Sequence, residues 1–81
     1  MRKFTVYTKP NCVQCTATKR WLDRRQVPYE ETAVDESPAI LKEAQRAGIS
    51  QAPIVRLSDQ DEVTLTMWGG FNPTLLGKYT Q

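Results

Sequence analysis

The chain has 81 residues, 40% of them hydrophobic and 25% charged, with a formal net charge of +2 at pH 7. This composition predicts one small globular domain over residues 1–81 and excludes a disordered chain. The basic residues form no block, and no apolar run approaches the about 20 residues of a membrane span. We therefore expect neither nucleic-acid binding nor membrane insertion, and a cytoplasmic location.

The first half of the chain predicts a strand, a helix, a second strand and a second helix. These elements cover residues 3–7, 13–26, 29–34 and, for the second helix, a segment from Ser37-Pro38 to Gly48. Because a helix joins the two strands, we expect them to be parallel in a right-handed βαβ unit. Ser37 is the expected cap of the second helix, and Gly48 its stop. Its buried stripe is predicted to be Ile40, Leu41, Ala44 and Ala47.

The second half predicts an antiparallel hairpin followed by a short helix. Strands over residues 53–57 and 63–68 are separated by five polar residues, 58–62. The final helix begins at Asn72-Pro73 and carries Leu75, Leu76 and Tyr79. The order βαβαββα predicts an α/β domain in which a four-stranded mixed sheet is flanked by three helices, with helices on both faces.

Two cysteines at the start of the first helix are the strongest functional signal. In Cys12-Val13-Gln14-Cys15 the cysteines are three residues apart, which brings them near disulfide reach. Unpaired N–H groups at the helix start favour a thiolate at Cys12, whereas Cys15 is expected to be shielded and protonated. The chain has no histidine, so activation must come from the helix terminus, aided by Lys9. These residues predict a dithiol–disulfide oxidoreductase in which Cys12 is the nucleophile and Cys15 resolves the mixed disulfide.

Other uses of the cysteines stay open. A structural disulfide across so short a loop removes little chain entropy and is unusual in a reducing compartment. A zinc or iron–sulfur site normally needs about four ligands. With two cysteines and no histidine, only a dimer that shares the metal could complete such a site. We expect a monomer without bound metal.

Two other segments have both a structural and a functional interpretation. From the residues alone Pro53 begins a strand after a trans bond, since cis bonds make up only about 5–6% of X–Pro bonds. A cis Ala52–Pro53 bond would instead let the backbone of Ala52 pair with an extended substrate beside Cys12. The Gly69-Gly70-Phe71 segment is either a plain turn or a flexible wall of the partner site.

The first helix also carries four basic residues and a tryptophan. Lys19, Arg20, Arg24 and Arg25 are interpreted as a solvated face, with steering of an acidic partner as the alternative. Trp21 is expected to pack in or beside the core, as are three other aromatic residues, Phe4, Tyr7 and Tyr29.

These motifs resemble the NrdH-type redoxins, glutaredoxin-like proteins of the thioredoxin superfamily. The similarity is carried by the Tyr-Thr-Lys-Pro segment at 7–10, by Cys-Val-Gln-Cys-Thr-Ala-Thr-Lys at 12–19, by residues 51–55 and by residues 68–73. The resemblance implies a thioredoxin fold and a cis bond before Pro53. The candidate partner-binding residues are Lys9, Val13, Gln14, Ala52, Pro53, Gly69, Gly70 and Phe71.

The resemblance also implies partners. It implies electron donation to a class Ib ribonucleotide reductase and recharging by thioredoxin reductase, which uses NADPH and FAD; this chain would bind neither cofactor. The chain departs from the family's Trp-Ser-Gly-Phe-Arg-Pro-Asp pattern at Gly69, Asn72 and Thr74, and its hairpin over residues 56–66 is longer than expected. The Gly69-Gly70 pair is typical of glutathione-using glutaredoxins, whose following acidic residue is replaced here by Phe71. A glutathione-dependent glutaredoxin is therefore the alternative.

Overall fold

The computed structural model describes residues 2–81 and confirms the predicted element order. The strands and helices are β1 Lys3–Thr8, α1 Val13–Arg24, β2 Tyr29–Ala33, α2 Pro38–Arg46, β3 Ile54–Ser58, β4 Thr64–Gly69 and α3 Pro73–Tyr79. A short 3-10 turn, Val34–Glu36, follows β2 where the sequence predicted the strand's last residue. Within residues 2–81, no helix has the length and apolar character needed to cross a membrane.

The four strands form one mixed sheet in the order β2-β1-β3-β4. β1 is parallel to β2, as the βαβ connection predicts, and antiparallel to β3. β3 and β4 form the predicted antiparallel hairpin, in which Val55 lies opposite Trp68. β1 and β3 are therefore the central strands, and both carry the most continuous runs of buried residues.

Alternate residues of the central strands fill two apolar clusters. Val6 and Val55 belong to the larger cluster, which also holds Leu22 of α1 and Leu76 of α3. The smaller cluster contains Tyr7, Ile54 and Ala44 of α2. Because neighbouring strand residues point to opposite faces, α1 and α3 cover one face of the sheet and α2 covers the other. This arrangement confirms the four-stranded sheet with helices on both faces.

Two predictions about α2 are wrong. The side chain of Ser37 makes no capping hydrogen bond, although Pro38 does occupy the first turn. Of the predicted stripe only Ala44 is fully buried, while Leu41 is 37% exposed and Ala47 is exposed. The helix has nine residues and packs against only one end of the central strands, so a narrow strip of its surface is covered.

The end of α1 also differs from the prediction. The helix stops at Arg24, two residues before the predicted end. Gln26 adopts a left-handed backbone with φ of 57°, which turns the chain toward Pro28 and β2. Gly48 ends the α2 region with a left-handed φ of 77°, as the sequence predicted.

A buried arginine holds the long β3–β4 turn. Arg56 is only 7% exposed; its Nε donates to the hydroxyl of Thr64 at 2.7 Å, and a terminal nitrogen donates to the carbonyl of Glu62 at 2.6 Å. Glu62 also accepts from Lys3 on β1 at 2.8 Å. These bonds fasten the extra residues of the turn to the sheet, at the end remote from Cys12.

Candidate active site

The turn between β1 and α1 places Cys12 at the helix N-terminus. Asn11 adopts a left-handed φ of 57°, a conformation that asparagine tolerates better than most residues. Cys12 then takes an extended conformation as the N-cap, and its sulfur accepts the backbone N–H of Cys15 at 3.1 Å. The first turn of α1 contains no acidic residue that would oppose negative charge on this sulfur.

Cys12 and Cys15 form a disulfide, with Cα atoms 5.2 Å apart. Cys15 is only 3% exposed, whereas Cys12 is half-buried and Val13 beside it is 84% exposed. Cys12 is therefore the more exposed residue of the pair, and Cys15 is almost fully covered. This asymmetry matches the shielding predicted for the two cysteines.

The Ala52–Pro53 peptide bond is cis and lies beside the disulfide. This is the geometry that the resemblance implied, whereas the strand-start interpretation favoured a trans bond. Pro53 is fully buried, and its carbonyl accepts the N–H of Gly70 at 2.9 Å. A cavity of about 320 Å³ separates the two segments and is lined by Lys9, Cys12, Val13, Gln14, Ser50, Gln51 and Ala52. The structure thus brings together Cys12, Ala52 and Lys9.

The Gly69–Phe71 segment meets the same site through Gln14. The side-chain Oε1 of Gln14 accepts the backbone N–H of Phe71 at 2.9 Å. Gly70 has a φ of 79°, and a Cβ added to it would lie 2.7 Å from the side-chain oxygens of both Gln14 and Gln51. Two glutamines from different parts of the chain therefore close around the backbone of Gly70. Sequence reasoning missed Gln51, although a polar residue directly before the Ala-Pro dipeptide was an available signal.

The departure at Gly69 has a steric explanation. A Cβ at this position would lie 2.5 Å from Cγ2 of Ile49 and 2.8 Å from the carbonyl oxygen of Gln51. The serine of the family pattern does not fit here unless the chain around residues 49–51 moves. Asn72, another departure, caps α3, because its side-chain oxygen accepts the N–H of Leu75 at 3.0 Å.

Lys9 is exposed and lines two neighbouring cavities. Besides the cavity at Cys12, it borders one of about 340 Å³ whose wall includes Leu41, Ile49 and Ala52. Its charge is thus available to a molecule that lies across Ala52. Across residues 2–81, no three side chains of the His, Cys, Asp and Glu types come together as a metal site would require.

Comparisons with known proteins agree with this geometry. The glutaredoxin family matches residues 4–61. The glutaredoxin-like protein NrdH of Lactococcus lactis is 32% identical over 91% of this chain and 94% of its own length. The NrdH protein of Escherichia coli is 33% identical over 94% of this chain and 86% of its own length. The chain belongs to the NrdH-type glutaredoxin-like proteins.

A solved NrdH structure extends the similarity to three dimensions. The NrdH-redoxin of Escherichia coli, described as glutaredoxin-like with a thioredoxin-like activity profile, has a TM-score of 0.75 at 32% identity. The match covers 94% of this chain and 92% of that one. The thioredoxin fold and the NrdH-type resemblance are thereby confirmed. With its Cys12–Cys15 disulfide, this NrdH-type chain is a thiol–disulfide oxidoreductase.

Proposed function

We propose that this redoxin reduces disulfides of other proteins, with Cys12 as the nucleophile and Cys15 as the resolving thiol. Its oxidant is a class Ib ribonucleotide reductase, and its reductant is thioredoxin reductase. A cytoplasmic location and a monomeric state are part of the proposal. The observation that carries it is the difference between the two cysteines: Cys12 is half-buried and its sulfur accepts the N–H of Cys15 at 3.1 Å, whereas Cys15 is only 3% exposed.

The exchange proceeds in two displacements. The Cys12 thiolate attacks one sulfur of the partner disulfide, and that bond breaks as the other partner sulfur leaves as a thiolate and takes up a proton. The Cys15 thiol then loses its proton and attacks the sulfur of Cys12, which releases the second partner sulfur as a thiol after protonation. Two electrons and two protons pass to the partner, and the Cys12–Cys15 disulfide forms.

The residues around the pair have binding roles in this proposal. The backbone of Ala52, held by the cis bond to Pro53, pairs with an extended segment of the partner beside Cys12. The opposite wall is formed by Gln14 with Phe71, whose contact closes the site on that side. Val13, Gly69 and Lys9 complete the surface that the partner meets. Gly70 was predicted to contact the partner too, but it is buried and its N–H donates to Pro53, so its role in the proposal is to support this wall.

The Phe71 loop supports thioredoxin reductase rather than glutathione as the electron source. Glutathione-using glutaredoxins have an acidic residue directly after their glycine pair, and Phe71 supplies no carboxylate there for the glutathione amine. The N–H of Phe71 is already accepted by Gln14. The NADPH and FAD of the recharging step belong to the reductase. The thioredoxin-like activity profile of the Escherichia coli relative supports the same choice.

Glutathione dependence is the second candidate, and the Gly69-Gly70 pair favours it. A paired assay separates the two. NADPH consumption is followed with a class Ib ribonucleotide reductase as oxidant, once with thioredoxin reductase and once with glutathione plus glutathione reductase. We expect turnover with the first system only, and none in a Cys12→Ser variant. Turnover with the glutathione and glutathione reductase system, and none with thioredoxin reductase, would replace the proposal by the glutaredoxin alternative.

A dimer that shares a metal between two pairs of cysteines is tested separately. The protein is purified without oxygen, and its zinc and iron contents, visible absorption and mass in solution are measured. We expect a colourless, metal-free monomer with two titratable thiols. A coloured or zinc-containing dimer would make metal binding the function of the pair.

A further inference from the structure

One face of α1 carries an apolar strip that begins at the disulfide. Val13, Ala17 and Trp21 are spaced four residues apart, so they lie along one side of the helix. Val13 is 84% exposed, the highest value among the exposed large hydrophobic residues described. Trp21, at the other end of the strip, is only half-buried. An apolar surface of this kind, next to a reactive sulfur, is available to a partner.

Three arginines border this strip. Arg20 and Arg24 are exposed and lie beside Trp21, and Arg25 follows directly after the helix. Together with Ala17, Trp21 and Phe71 they line a shallow cavity of about 260 Å³. We refer to Val13, Ala17, Arg20, Trp21, Arg24 and Arg25 as the arginine face.

The arginines of this face have no acidic partner among residues 2–81. The ion pairs found there involve Lys3, Lys19 and Arg56. Arg25 instead places its guanidinium 3.8 Å from the centre of the Trp21 ring. The arginine face thus concentrates positive charge that the fold leaves unneutralised.

We propose that the arginine face docks an acidic, amphipathic segment of the protein whose disulfide is reduced. Carboxylates of that segment pair with Arg20 and Arg24, and its apolar side chains cover Val13 and Trp21. The inference rests on the proposed reduction of protein disulfides and adds the kind of partner.

Two observations favour this occupant. The face is continuous with the redox site, because Val13 follows Cys12 directly and Phe71 is hydrogen-bonded to Gln14. A nucleic acid is the less favoured occupant, since Arg25 already covers one side of the Trp21 ring and so blocks base stacking there. An acidic peptide does not need to stack on that ring, because its carboxylates pair with the exposed guanidinium groups and its apolar side chains contact Val13 and the accessible part of Trp21.

Single-turnover kinetics with synthetic peptides test the proposal without either partner enzyme. Three peptides carry the same internal disulfide, flanked by glutamate, glutamine or lysine residues, with one leucine in each flank. Chemically reduced protein is mixed with each peptide, and oxidation of Cys12 is followed by acid quenching and mass spectrometry. The variant is Arg20→Gln/Arg24→Gln. Its matched control is Lys42→Gln/Arg46→Gln, which removes two exposed charges from α2.

We expect wild-type protein to react with the glutamate peptide roughly tenfold faster than with the glutamine peptide at low ionic strength. The preference should fall to about twofold or less in Arg20→Gln/Arg24→Gln and persist in Lys42→Gln/Arg46→Gln. Added salt should remove the preference for the glutamate peptide, because the electrostatic screening length drops from about 30 Å at an ionic strength of about 0.01 M to about 3 Å at about 1 M.

Several results would overturn the proposal. A wild-type protein that reacts equally with all three peptides has no docking site for acidic segments. An equal loss of preference in both double variants assigns the effect to net charge rather than to the arginine face. The wild-type protein is also tested for retardation of a labelled single-stranded oligonucleotide in a gel. If it retards the oligonucleotide but shows no peptide preference, and only Arg20→Gln/Arg24→Gln abolishes the retardation, the arginine face is assigned to nucleic acid. If the protein does not carry out thiol–disulfide exchange at all, it will react with none of the peptides, and this result is distinct from a loss of preference among them.

Discussion

Gln14 and Phe71 are joined by a hydrogen bond between parts of the chain that are 57 residues apart. The side-chain oxygen of Gln14, which lies between the two cysteines, accepts the backbone N–H of Phe71 at 2.9 Å. The loop between β4 and α3 is thus attached to the helix that carries Cys12. Any movement of this loop changes the wall of the redox site.

Removal of this contact should loosen the loop. In Gln14→Ala we expect the amide hydrogen of Phe71 to exchange with solvent about fivefold faster, the factor that corresponds to one exposed hydrogen bond. Gln14→Glu keeps an acceptor oxygen and should retain the protection. The amide of Leu75, which is bound by Asn72, serves as an internal reference and should not change. Identical exchange of Phe71 in Gln14→Ala and wild type would show that the bond does not hold the loop.

Gly69→Ser should destabilise the protein. The added Cβ meets Ile49 Cγ2 at 2.5 Å and the backbone oxygen of Gln51 at 2.8 Å, and a backbone atom cannot move aside as a flexible side chain can. We expect the free energy of unfolding, measured with urea, to fall by about 1–3 kcal/mol.

Gly77→Ser is the matched control. Apart from its chain neighbours and the backbone of its own helix, no atom lies within 4 Å of a Cβ built on Gly77, which is in α3. Serine has the better helix propensity, so the free energy of unfolding should change by less than about 0.5 kcal/mol or rise slightly. If Gly69→Ser were as stable as this control, the steric account of the departure from the family pattern would be wrong.

The ion pair between Lys3 and Glu62 should make stability depend on acidity. A hydrogen bond from Lys3 lowers the pKa of Glu62 below its ordinary 4.5, and the same bond raises the pKa of Lys3 above 10.5. The stabilisation from ionised Glu62 is therefore present above pH 4.5 and is lost as the pH falls through the lower folded pKa. The contribution of Lys3 is present below pH 10.5 and is lost as the pH rises through its raised pKa.

Thermal unfolding of wild type and Glu62→Gln tests this pH dependence. We expect wild type to have the higher Tm at neutral pH and the two Tm values to converge below pH 4.5. Both side chains are substantially exposed, so the difference is small and weakens with added salt. Glu43→Gln, an exposed residue of α2 that makes no ion pair among residues 2–81, is the control and should have the same Tm as wild type at neutral pH. A Tm difference that stays constant down to low pH would exclude this ion pair as its source.

The order of attack is tested by two cysteine variants. Cys15→Ser retains the half-buried nucleophile Cys12 but lacks the thiol that resolves the mixed disulfide, so it should accumulate as a covalent complex with a disulfide peptide. Cys12→Ser should form no such complex, because the remaining cysteine, Cys15, is only 3% exposed. Non-reducing electrophoresis and mass spectrometry measure the amount of covalent complex formed by each variant. Covalent capture through Cys15 in Cys12→Ser, at a comparable rate, would contradict the assigned order.

Local patterns in the sequence were sufficient to predict much of the fold. Proline and glycine positions mark the ends of elements, so the start of α2 at Pro38 and the turn at Gly48 were predicted correctly. The position of Cys12 at the start of α1 followed from the polar turn before it. Periodicity shows which residues share a face, but it does not show how much of that face a neighbouring element covers. Leu41 therefore looked like a core residue and is exposed.

Contacts between distant segments could not be predicted from local patterns. The cis bond before Pro53 depends on the chain around it, and only the family resemblance implied it. The contact between Gln14 and Phe71 requires the loop after β4 to reach the start of α1, and the crowding at Gly69 requires Ile49 to lie against β4. Such features depend on tertiary packing, which overrides what neighbouring residues prefer.

The relative reactivity of the two thiols shows which cysteine is the nucleophile. Fully reduced wild-type protein is treated with a limiting amount of iodoacetamide at neutral pH, and the alkylated cysteine is identified by peptide mapping. We expect Cys12 to be modified first and almost alone, because it is half-buried at the N-cap of α1 whereas Cys15 is only 3% exposed. Equal modification of both cysteines, or faster modification of Cys15, would contradict this expectation.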